Sequence, residues 1–342
     1  MKSIILNEPG SFERTTCEDP GKPGSGEARI RIEKIGICGT DLHAFRGRQP
    51  FFAYPRILGH ELGVVVEAVG EGVKNVKTGD LCAVEPYLNC GTCVACCVGK
   101  TNCCTSLSVL GVHIDGGMRE AILVPSTKLH VSNKLQTEQL ALVETLGIGA
   151  HAVDRTEPQA DEKVLVIGAG PIGLSVLQFA AVSGADIALL ELNPDRMAFA
   201  KAQFGINTCL SSLDTSLKEV EAWTDGDLPT AVFDATGSPS SMASAFSYVA
   251  NGGRLTFVGL VQADITFNDP EFHRKEMTLR ASRNARSEDF ARIITLIESG
   301  DVDTKPWITH RAGYDDFVEA FPSWLEPETG VVKAILELDR EA

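Results

Sequence analysis

The chain has 342 residues, of which 44% are hydrophobic, and its formal net charge is −15 at pH 7. This length favours two domains that each bury their own core, and the acidic charge argues against nucleic acid as a partner because it repels a phosphate backbone. The sequence lacks an apolar run of about 18 residues, which argues against a membrane-spanning helix, and the opening stretch MKSIILNEPG has too few consecutive apolar residues for a signal peptide, so we expect a cytoplasmic protein.

Residues 1–145 have the pattern of a β-rich domain. Short apolar or alternating runs lie between turns rich in glycine and proline, and the clearest are ARIRIEKIGIC (28–38), ELGVVVEAVG (61–70) and GDLCAVEPY (79–87). Many short strands separated by such turns are typical of barrels and sandwiches. We therefore predict a β-barrel-like domain here.

Four potential metal ligands are dispersed through this first region. Cys38 lies in GICGTDLH, His60 and Glu61 lie in GHE, and Glu144 lies in LVETLGIGAHAV. Mixed sulfur, nitrogen and oxygen ligands from separate segments are typical of a catalytic zinc, because three protein ligands leave one position for water or substrate. Taken singly, each of these residues also fits an ordinary structural role.

Six cysteines are concentrated in CGTCVACCVGKTNCC, residues 90–104. In a reducing compartment they favour metal ligation over disulfides, and four of them have the spacing C-x2-C-x2-C-x7-C: Cys90, Cys93, Cys96 and Cys104. Four thiolates close a tetrahedron around one ion, so the spacing predicts a structural zinc that holds a lobe at about 88–106. The alternatives are an iron–sulfur cluster, a redox dithiol and a zinc-binding nucleic-acid module, the last of which the acidic charge opposes.

Between about residues 146 and 282 strands and helices alternate, which predicts a doubly wound parallel sheet. The strand EKVLVI is followed directly by GAGPIG, which has the spacing G-x-G-x-x-G and opens the helix PIGLSVLQFAAVSG. In that context the glycines permit a tight turn, a close approach of the backbone to a pyrophosphate and close packing of helix on strand. The predicted pyrophosphate-binding residues are Gly168, Gly170, Pro171, Ile172 and Gly173.

The second strand of this region lies in DIALLEL and is predicted to end at Glu191. An acid at this place accepts hydrogen bonds from the adenosine ribose hydroxyls and repels a 2′-phosphate, which favours NAD over NADP. Arg196, a few residues later, is the one feature that argues for NADP. The helix that follows is predicted to begin after an Asn193 cap and to stop at Gly205.

Residues 283–342 have a mixed pattern. SEDFARIITLIESG has the apolar spacing of an amphipathic helix, and VVKAILEL predicts a closing strand. The chain contains neither an internal repeat nor a low-complexity tract.

Several of these segments together resemble one protein family. GICGTDLHAFRG, YPRILGHELGVVVEAVGEGV, ETLGIGAHAV, VLVIGAGPIGLSVLQFA and the cysteine spacing of residues 90–104 are similar to the zinc-dependent medium-chain alcohol dehydrogenases, most of all to their polyol, sorbitol and threonine dehydrogenase branch. LGVHIDGGMREAILVP and LRASRNARSEDF are similar to bacterial sugar-acid oxidoreductases of the L-galactonate type. The resemblance covers essentially the whole chain.

The resemblance implies an α/β fold with two domains. A GroES-like β-barrel catalytic domain is expected at 1–145 and 283–342, and a Rossmann NAD-binding domain at 146–282. Two zinc ions per chain are implied, one catalytic and one structural.

Residue by residue, Cys38, His60 and Glu144 match the family's catalytic zinc ligands. Glu61 matches an acid that ligates the metal or lies beside it in relatives, and which of Glu61 and Glu144 holds the inner position stays open. In the cysteine cluster, Cys97 and Cys103 fall on positions that vary in the family, whereas the four structural ligands that match are Cys90, Cys93, Cys96 and Cys104.

The resemblance also implies the reaction, a reversible oxidation of a secondary alcohol of a polyol or sugar acid to the ketone by hydride transfer to NAD. Thr40 matches the family's proton-relay hydroxyl, His43 is expected to pass the proton on, and Arg283 and Asn284 are expected to contact the cofactor. The candidate substrate contacts are Arg46, Arg48 and Arg119. The alternatives are a threonine-type dehydrogenase and a non-catalytic NAD-binding regulatory protein. A homodimer or homotetramer without a membrane partner is expected.

Overall fold

The computed structural model describes residues 1–49 and 52–338. The chain divides into two compact units, one formed by Met1–Thr145 with Ala285–Ala342 and the other by Leu146–Asn284. Within the described part of the chain, every helix is too short or too polar to cross a bilayer.

The strands, in chain order, are β1 (Lys2–Glu8), β2 (Ser11–Thr16), β3 (Glu27–Ile37), β4 (Glu61–Val69), β5 (Leu81–Val84), β6 (Tyr87–Leu88), β7 (Ser108–Val109), β8 (Ala121–Pro125), β9 (Leu129–Val131), β10 (Lys163–Ile167), β11 (Asp186–Leu190), β12 (Thr208–Leu210), β13 (Ala231–Asp234), β14 (Arg254–Phe257), β15 (Thr278–Ala281), β16 (Ile308–Gly313) and β17 (Lys333–Glu337).

The helices, also in chain order, are α1 (Gly39–Phe45), α2 (Val94–Cys97), α3 (Thr137–Ala141), α4 (Val143–Thr156), α5 (Pro171–Val182), α6 (Pro194–Phe204), α7 (Leu213–Trp223), α8 (Pro239–Ser244), α9 (Asp269–Arg274), α10 (Ser287–Ser299) and α11 (Phe317–Ala320). Short 3₁₀ helices lie at Thr101–Cys103, Ser126–Lys128, Ala245–Tyr248, Phe321–Leu325 and Pro327–Thr329.

The first unit is organised around a large sheet. Its strand order is β16-β17-β3-β4-β5-β9, β8 pairs with β3 as well, and β1 with β2 and β6 with β7 form separate two-stranded ladders. Strand β3 alternates in burial along its first half, so that Ala28, Ile30 and Ile32 face the core. The predicted closing strand is β17, which pairs antiparallel with β3 and places Ala334 opposite Ile37. The C-terminal segment thereby completes the sheet that carries the candidate site.

The second unit contains a parallel sheet in the order β12-β11-β10-β13-β14-β15. Read outward from β10, this is the order of a doubly wound dinucleotide-binding fold. Strands β10 and β13 are apolar and buried along nearly their whole length, as strands covered on both faces must be. The predicted doubly wound parallel sheet is therefore confirmed.

Helix α6 begins and ends as its sequence predicts. The Asn193 side chain accepts hydrogen bonds from the backbone N–H groups of Asp195 and Arg196, at 2.9 and 3.1 Å. Pro194 occupies the first helical position, and Gly205 ends the helix in the left-handed region with φ +65°. This helix follows Glu191 directly, so its fixed start also fixes the strand end where the coenzyme ribose is expected.

Candidate active site and metal centres

Three of the dispersed ligands come together in the first unit. The ligand atoms of Cys38, His60 and Glu61 all lie within 4.8 Å of one another. Cys38 is the N-cap residue of helix α1, and Glu61 opens β4 directly after His60. The turn before α1 and the first residue of an interior strand thus supply a thiol, an imidazole and a carboxylate, which is a donor set that fits zinc.

A buried carboxylate, Asp41, lies behind this group. Asp41 accepts a hydrogen bond from the Cys38 backbone N–H at 2.9 Å, and its Oδ1 lies 3.9 Å from the Nδ1 of His60. Neither of these two atoms has a hydrogen-bond partner among the described residues. A carboxylate that accepts a hydrogen bond from one ring nitrogen orients a histidine for metal binding through the other, but at 3.9 Å this bond is not formed here.

The carboxylate of Glu61 has a cationic partner. The Lys333 ammonium donates to both carboxylate oxygens of Glu61, at 2.7 and 2.8 Å, and to the Ile37 carbonyl at 3.1 Å. Both side chains are buried, with 0% exposure for Glu61 and 2% for Lys333. The cavity for this carboxylate depends on Gly36, because a Cβ there would lie 2.1 Å from Glu61 Oε2. Glu61 is therefore charge-compensated by the protein itself.

Glu144 has a neutral partner instead. It lies in the first turn of α4, it is buried, and its Oε1 accepts a hydrogen bond from the Tyr87 hydroxyl. The compact three-ligand group found among the described residues does not include Glu144. The two carboxylates thus differ in their partners, an ammonium for Glu61 and a phenol for Glu144.

The pKa values in this region indicate surplus negative charge. Burial alone would lower the pKa of His60, but Cys38, Asp41 and Glu144 raise it well above the usual value. Burial also raises the pKa values of Asp41 and Glu144. A site that holds so many acidic groups away from water favours a bound cation, which agrees with its donor set.

The four cysteines with the predicted spacing also come together. Their sulfur atoms lie within 4.8 Å of one another: Cys90, Cys93, Cys96 and Cys104. Backbone N–H groups point at these sulfurs, as shown by Cys104, which accepts from Cys90 N–H at 3.3 Å and from Ser106 N–H at 3.4 Å. Backbone hydrogen bonds, that from Cys96 first, lower the pKa of Cys93 to about 5, so its thiolate form is present at neutral pH. The group fits a closed tetrahedral zinc site.

The other two cysteines of the cluster lie outside this group. Cys97 and Cys103 are exposed, and the Cys97 thiol donates to the Thr92 carbonyl at 3.5 Å. The structure therefore separates four clustered sulfurs from two peripheral ones, in the same division as the sequence pattern.

The glycine-rich loop of the second unit connects β10 to α5. Gly168 has φ +96°, and a Cβ on Gly173 would lie 1.9 Å from the Gly168 carbonyl oxygen, so a side chain at either position would distort the turn. Gly170 is the N-cap of α5 and Pro171 is its first residue, while Ile172 is partly buried. The loop therefore presents backbone N–H groups at the start of a helix, where an anionic pyrophosphate is stabilised.

Glu191 is fixed beside that loop. Its carboxylate accepts hydrogen bonds from the backbone N–H groups of Ala169 at 2.6 Å and Asn193 at 2.7 Å. The Arg196 Nη1 atom lies 3.9 Å from the position of a Cβ on Gly170, which places the guanidinium next to the glycine-rich turn. An acid and a base thus flank the region where the adenosine ribose is expected.

Comparison with known proteins decides the family. Residues 24–134 match the alcohol dehydrogenase GroES-like domain, and residues 171–299 match the zinc-binding dehydrogenase domain. The chain is 38% identical to L-galactonate-5-dehydrogenase of Escherichia coli K12 over 98% of each chain, and 32% identical to L-threonine 3-dehydrogenase of Bacillus velezensis over 97% of this chain and 98% of that one. A crystal structure of a short chain alcohol dehydrogenase from Escherichia coli CFT073 complexed with NADH has a TM-score of 0.92 and 30% identity, with 99% of each chain covered.

The chain belongs to the zinc-binding alcohol dehydrogenase family. The predicted family and the predicted fold class, a GroES-like domain with a Rossmann domain, are confirmed. The matched domain is that of zinc-binding dehydrogenases, and the structural neighbour named above is complexed with NADH.

The remaining predicted site residues of this dehydrogenase lie in both units. Thr40 follows Cys38 closely, and its Oγ1 lies 3.5 Å from the Cys38 sulfur. His43 lies in the last turn of α1, where burial first and then the charges of Arg46 and Arg48 lower its pKa. A histidine with a lowered pKa is neutral at pH 7 and can accept a proton.

The predicted cofactor contacts Arg283 and Asn284 end the second unit. Asn284 has φ 53°, and its buried Nδ2 has no hydrogen-bond partner among the described residues. Their contact with the coenzyme stays a prediction.

Two of the arginines suggested for the substrate of this dehydrogenase have structural partners. Arg46 donates to the Leu325 carbonyl at 2.7 Å, and Arg119 donates to the carbonyls of Gly116 and Asp115 at 3.0 and 3.2 Å. These bonds explain both side chains without a substrate.

Sequence reasoning did not identify three residues around the ligands, namely Asp41, Tyr87 and Lys333. Asp41 stands inside the motif GICGTDLH, and its position three residues after Cys38 was a local signal that could have marked it. Lys333 and Tyr87 reach Glu61 and Glu144 only through the tertiary fold, across 272 and 57 residues of sequence.

Proposed function

We propose that this dehydrogenase oxidises a secondary alcohol of a polyol or sugar acid reversibly to the ketone, with NAD as hydride acceptor. The observation that carries the proposal is the buried group of Cys38, His60 and Glu61, an acidic cation site in a chain that also has a fixed dinucleotide loop. The sugar-acid class is supported by the name of the relative with 38% identity, L-galactonate-5-dehydrogenase.

The proposed roles at the catalytic site follow from the donor atoms. Cys38 and His60 would hold a zinc ion together with Glu144 or Glu61. A zinc ion bound there would act as a Lewis acid that lowers the pKa of the substrate alcohol. Lys333 would stabilise Glu61 in its present position, which leaves Glu144 as the carboxylate without a competing cation.

We propose that Thr40 and His43 carry the alcohol proton towards solvent. Thr40 is placed beside the Cys38 sulfur, and His43 is exposed with a lowered pKa, so it is neutral and able to accept a proton at pH 7. A Thr40→Val variant should lose turnover while it still binds zinc and NAD. Normal turnover in that variant would exclude the relay.

NAD is the proposed coenzyme rather than NADP. Two backbone N–H bonds fix the Glu191 carboxylate just after β11, and a carboxylate at this place favours ribose hydroxyls over a 2′-phosphate. Arg196 is the opposing feature, and its guanidinium next to Gly170 is also well placed for the coenzyme pyrophosphate. Initial rates with NAD and NADP at equal concentration compare the two directly.

One experiment tests the function as a whole. The zinc-loaded chain is assayed for metal content and for NAD reduction with polyols, aldonates and 3-hydroxy amino acids. We expect turnover with members of the first two classes. Turnover confined to 3-hydroxy amino acids would instead establish the second candidate, a threonine-type dehydrogenase, which the 32% identity to L-threonine 3-dehydrogenase supports. Full zinc occupancy without turnover on any class would contradict the proposal.

A further inference from the structure

A buried polar group lies next to the four-cysteine lobe. Glu85 and Lys128 are both buried, with exposures of 0% and 8%, and they form an ion pair. The Lys128 ammonium also donates to the Asn89 side-chain carbonyl at 2.8 Å. Asn89 in turn directs its Nδ2 at the Cys96 sulfur, at a distance of 3.6 Å. A continuous chain of hydrogen bonds therefore runs from a buried carboxylate to one sulfur of the lobe.

Lys128 dictates which way the Asn89 amide faces. An ammonium group has only donors, so it requires an acceptor from each partner. The amide must therefore present its oxygen to Lys128, and this turns the NH₂ group towards Cys96. If the amide were flipped, its NH₂ group would face the Lys128 ammonium, which is also a donor, and its carbonyl oxygen would face the Cys96 sulfur.

Glu85 holds the lysine in place. Its carboxylate also accepts a hydrogen bond from the Ser287 hydroxyl at the start of α10, and it lies 3.4 Å from His130 Nε2. The His130 ring stacks on Phe290 with a centroid distance of 4.9 Å. Lys128 is thus fixed by partners from two separate parts of the first unit, and it cannot easily move away from Asn89.

Donor groups next to a metal-binding sulfur favour its thiolate form. The Asn89 Nδ2 atom lies 3.6 Å from the Cys96 sulfur, within reach of such a hydrogen bond. Loss of a hydrogen-bond partner around a metal ligand typically weakens metal binding by about 10–100-fold. The Asn89 carboxamide is a side-chain donor of this kind, and its orientation is set outside the lobe.

We infer that Asn89 is a positioning residue of the four-cysteine zinc site, which donates to the Cys96 sulfur in an orientation that Lys128 fixes and thereby slows the loss of the metal. The inference rests on the proposed structural zinc, but it does not depend on the proposed reaction. It assigns a function to the buried Lys128–Glu85 pair, in which Glu85 shortly precedes the cysteine segment and Lys128 comes from beyond it.

The test measures the rate at which zinc is lost. The full chain is prepared in a Cys38→Ala background, so that the four-cysteine site is the proposed source of bound zinc, and transfer of zinc to an excess of a chromogenic chelator is followed over time. Asn89→Asp keeps the acceptor for Lys128 but replaces the donor with a carboxylate oxygen. We expect zinc loss to accelerate by on the order of tenfold or more.

Asn75→Asp is the matched control. Asn75 belongs to the same unit and donates through Nδ2 to the Ser126 carbonyl at 2.7 Å. The control therefore also exchanges a donating amide for a carboxylate, but without a sulfur partner, and its zinc loss should equal that of the background. Equal rates for Asn89→Asp and the background would overturn the inference. A background protein that retains no zinc would overturn the proposed structural site and the inference with it.

A second pair of variants tests the role of Lys128 and covers the case in which Asn89→Asp does not fold. Asn89→Ala and Lys128→Met should each accelerate zinc loss, and the double variant should be no faster than Asn89→Ala alone, because Lys128 acts through Asn89. Multiplied effects in the double variant would show that Lys128 does not act through the amide, and would contradict the assignment.

Discussion

The two candidate metal centres are built in opposite ways. The four-cysteine site takes all its ligands from residues 90–104. Of these four cysteines, one is exposed, two are partly exposed and one is buried, and backbone N–H groups approach the sulfurs. The other site takes Cys38 from the start of α1 and Glu61 from the start of β4, and it lies in the core with Asp41 and Lys333 around it. A local loop therefore makes the first centre, whereas the whole first unit makes the second.

This difference predicts which property each site controls. A closed set of four thiolates has no free position for a substrate, so its loss should affect folding and metal content. A mixed set of three protein ligands leaves one coordination position for water or substrate, so its loss should affect turnover. The following substitutions test that division, from the largest expected effect to the smallest.

Cys38→Ala should remove the proposed catalytic zinc and lower kcat/KM by about a thousandfold or more, because a Lewis acid contributes several kcal/mol to the transition state. The melting temperature should change little, since Cys38 is only partly buried and is not a member of the apolar core of the first unit. Steady-state kinetics and thermal unfolding of the same preparation measure both. If the variant retains turnover with only one zinc per chain, the Cys38 site is not the catalytic site.

Cys93→Ala should produce the converse result. We expect the metal content to fall from about two zinc ions to about one per chain, with a lower melting temperature, because a three-sulfur set no longer closes the tetrahedron. Elemental analysis and thermal unfolding measure the two effects. Cys97→Ala is the control, since Cys97 is exposed and lies outside the sulfur group, and it should leave both values unchanged.

Lys333→Met should destabilise the first unit by about 3–5 kcal/mol, because it leaves the Glu61 carboxylate buried without its cation. Denaturant unfolding of the metal-free protein measures this cost. The double variant with Glu61→Gln removes the unpaired charge and should recover much of the stability. If the double variant is as unstable as the single one, the cost comes from packing around Lys333 and not from the ion pair.

Sequence reasoning reached the parts of this architecture that depend on local patterns. The glycine-rich turn, the α6 cap at Asn193 and the cysteine spacing each depend on residues within one turn or loop, and the structure forms all three. The parallel sheet follows from the same kind of evidence, because buried apolar strands alternate with helices.

Tertiary contacts account for what sequence reasoning did not reach. The Lys333–Glu61 pair joins β17 to β4, and the chain between them spans most of the protein. A lysine in an apolar strand such as VVKAILEL does not indicate a buried ion pair, because lysine side chains are usually exposed to solvent. The choice between Glu61 and Glu144 depends on these partners, so the motifs GHE and LVETLGIGAHAV left it open.

Tyr87→Phe tests whether Glu144 rather than Glu61 is the metal ligand. It has the smallest expected effect, since it deletes only the hydroxyl that donates to Glu144. Loss of a donor to a buried carboxylate should cost about 1–3 kcal/mol in metal-free protein. Burial raises the pKa of Glu144 and the Tyr87 bond lowers it, so the variant raises that pKa further. The cost should therefore be smallest at low pH, where Glu144 is protonated in both proteins, and should grow as the pH rises through the pKa of Glu144.

Tyr248→Phe provides the reference for this measurement. The Tyr248 hydroxyl is also buried, but it pairs with the neutral Ser216 hydroxyl at 2.6 Å in the second unit. Its cost should not vary with pH, and zinc retention at the Cys38 site should be unchanged, whereas Tyr87→Phe should weaken that retention. If both tyrosine variants show the same pH-independent cost and the same zinc retention, Tyr87 does not position Glu144 for the metal. The neutral partner would then no longer distinguish Glu144 from Glu61 as the ligand.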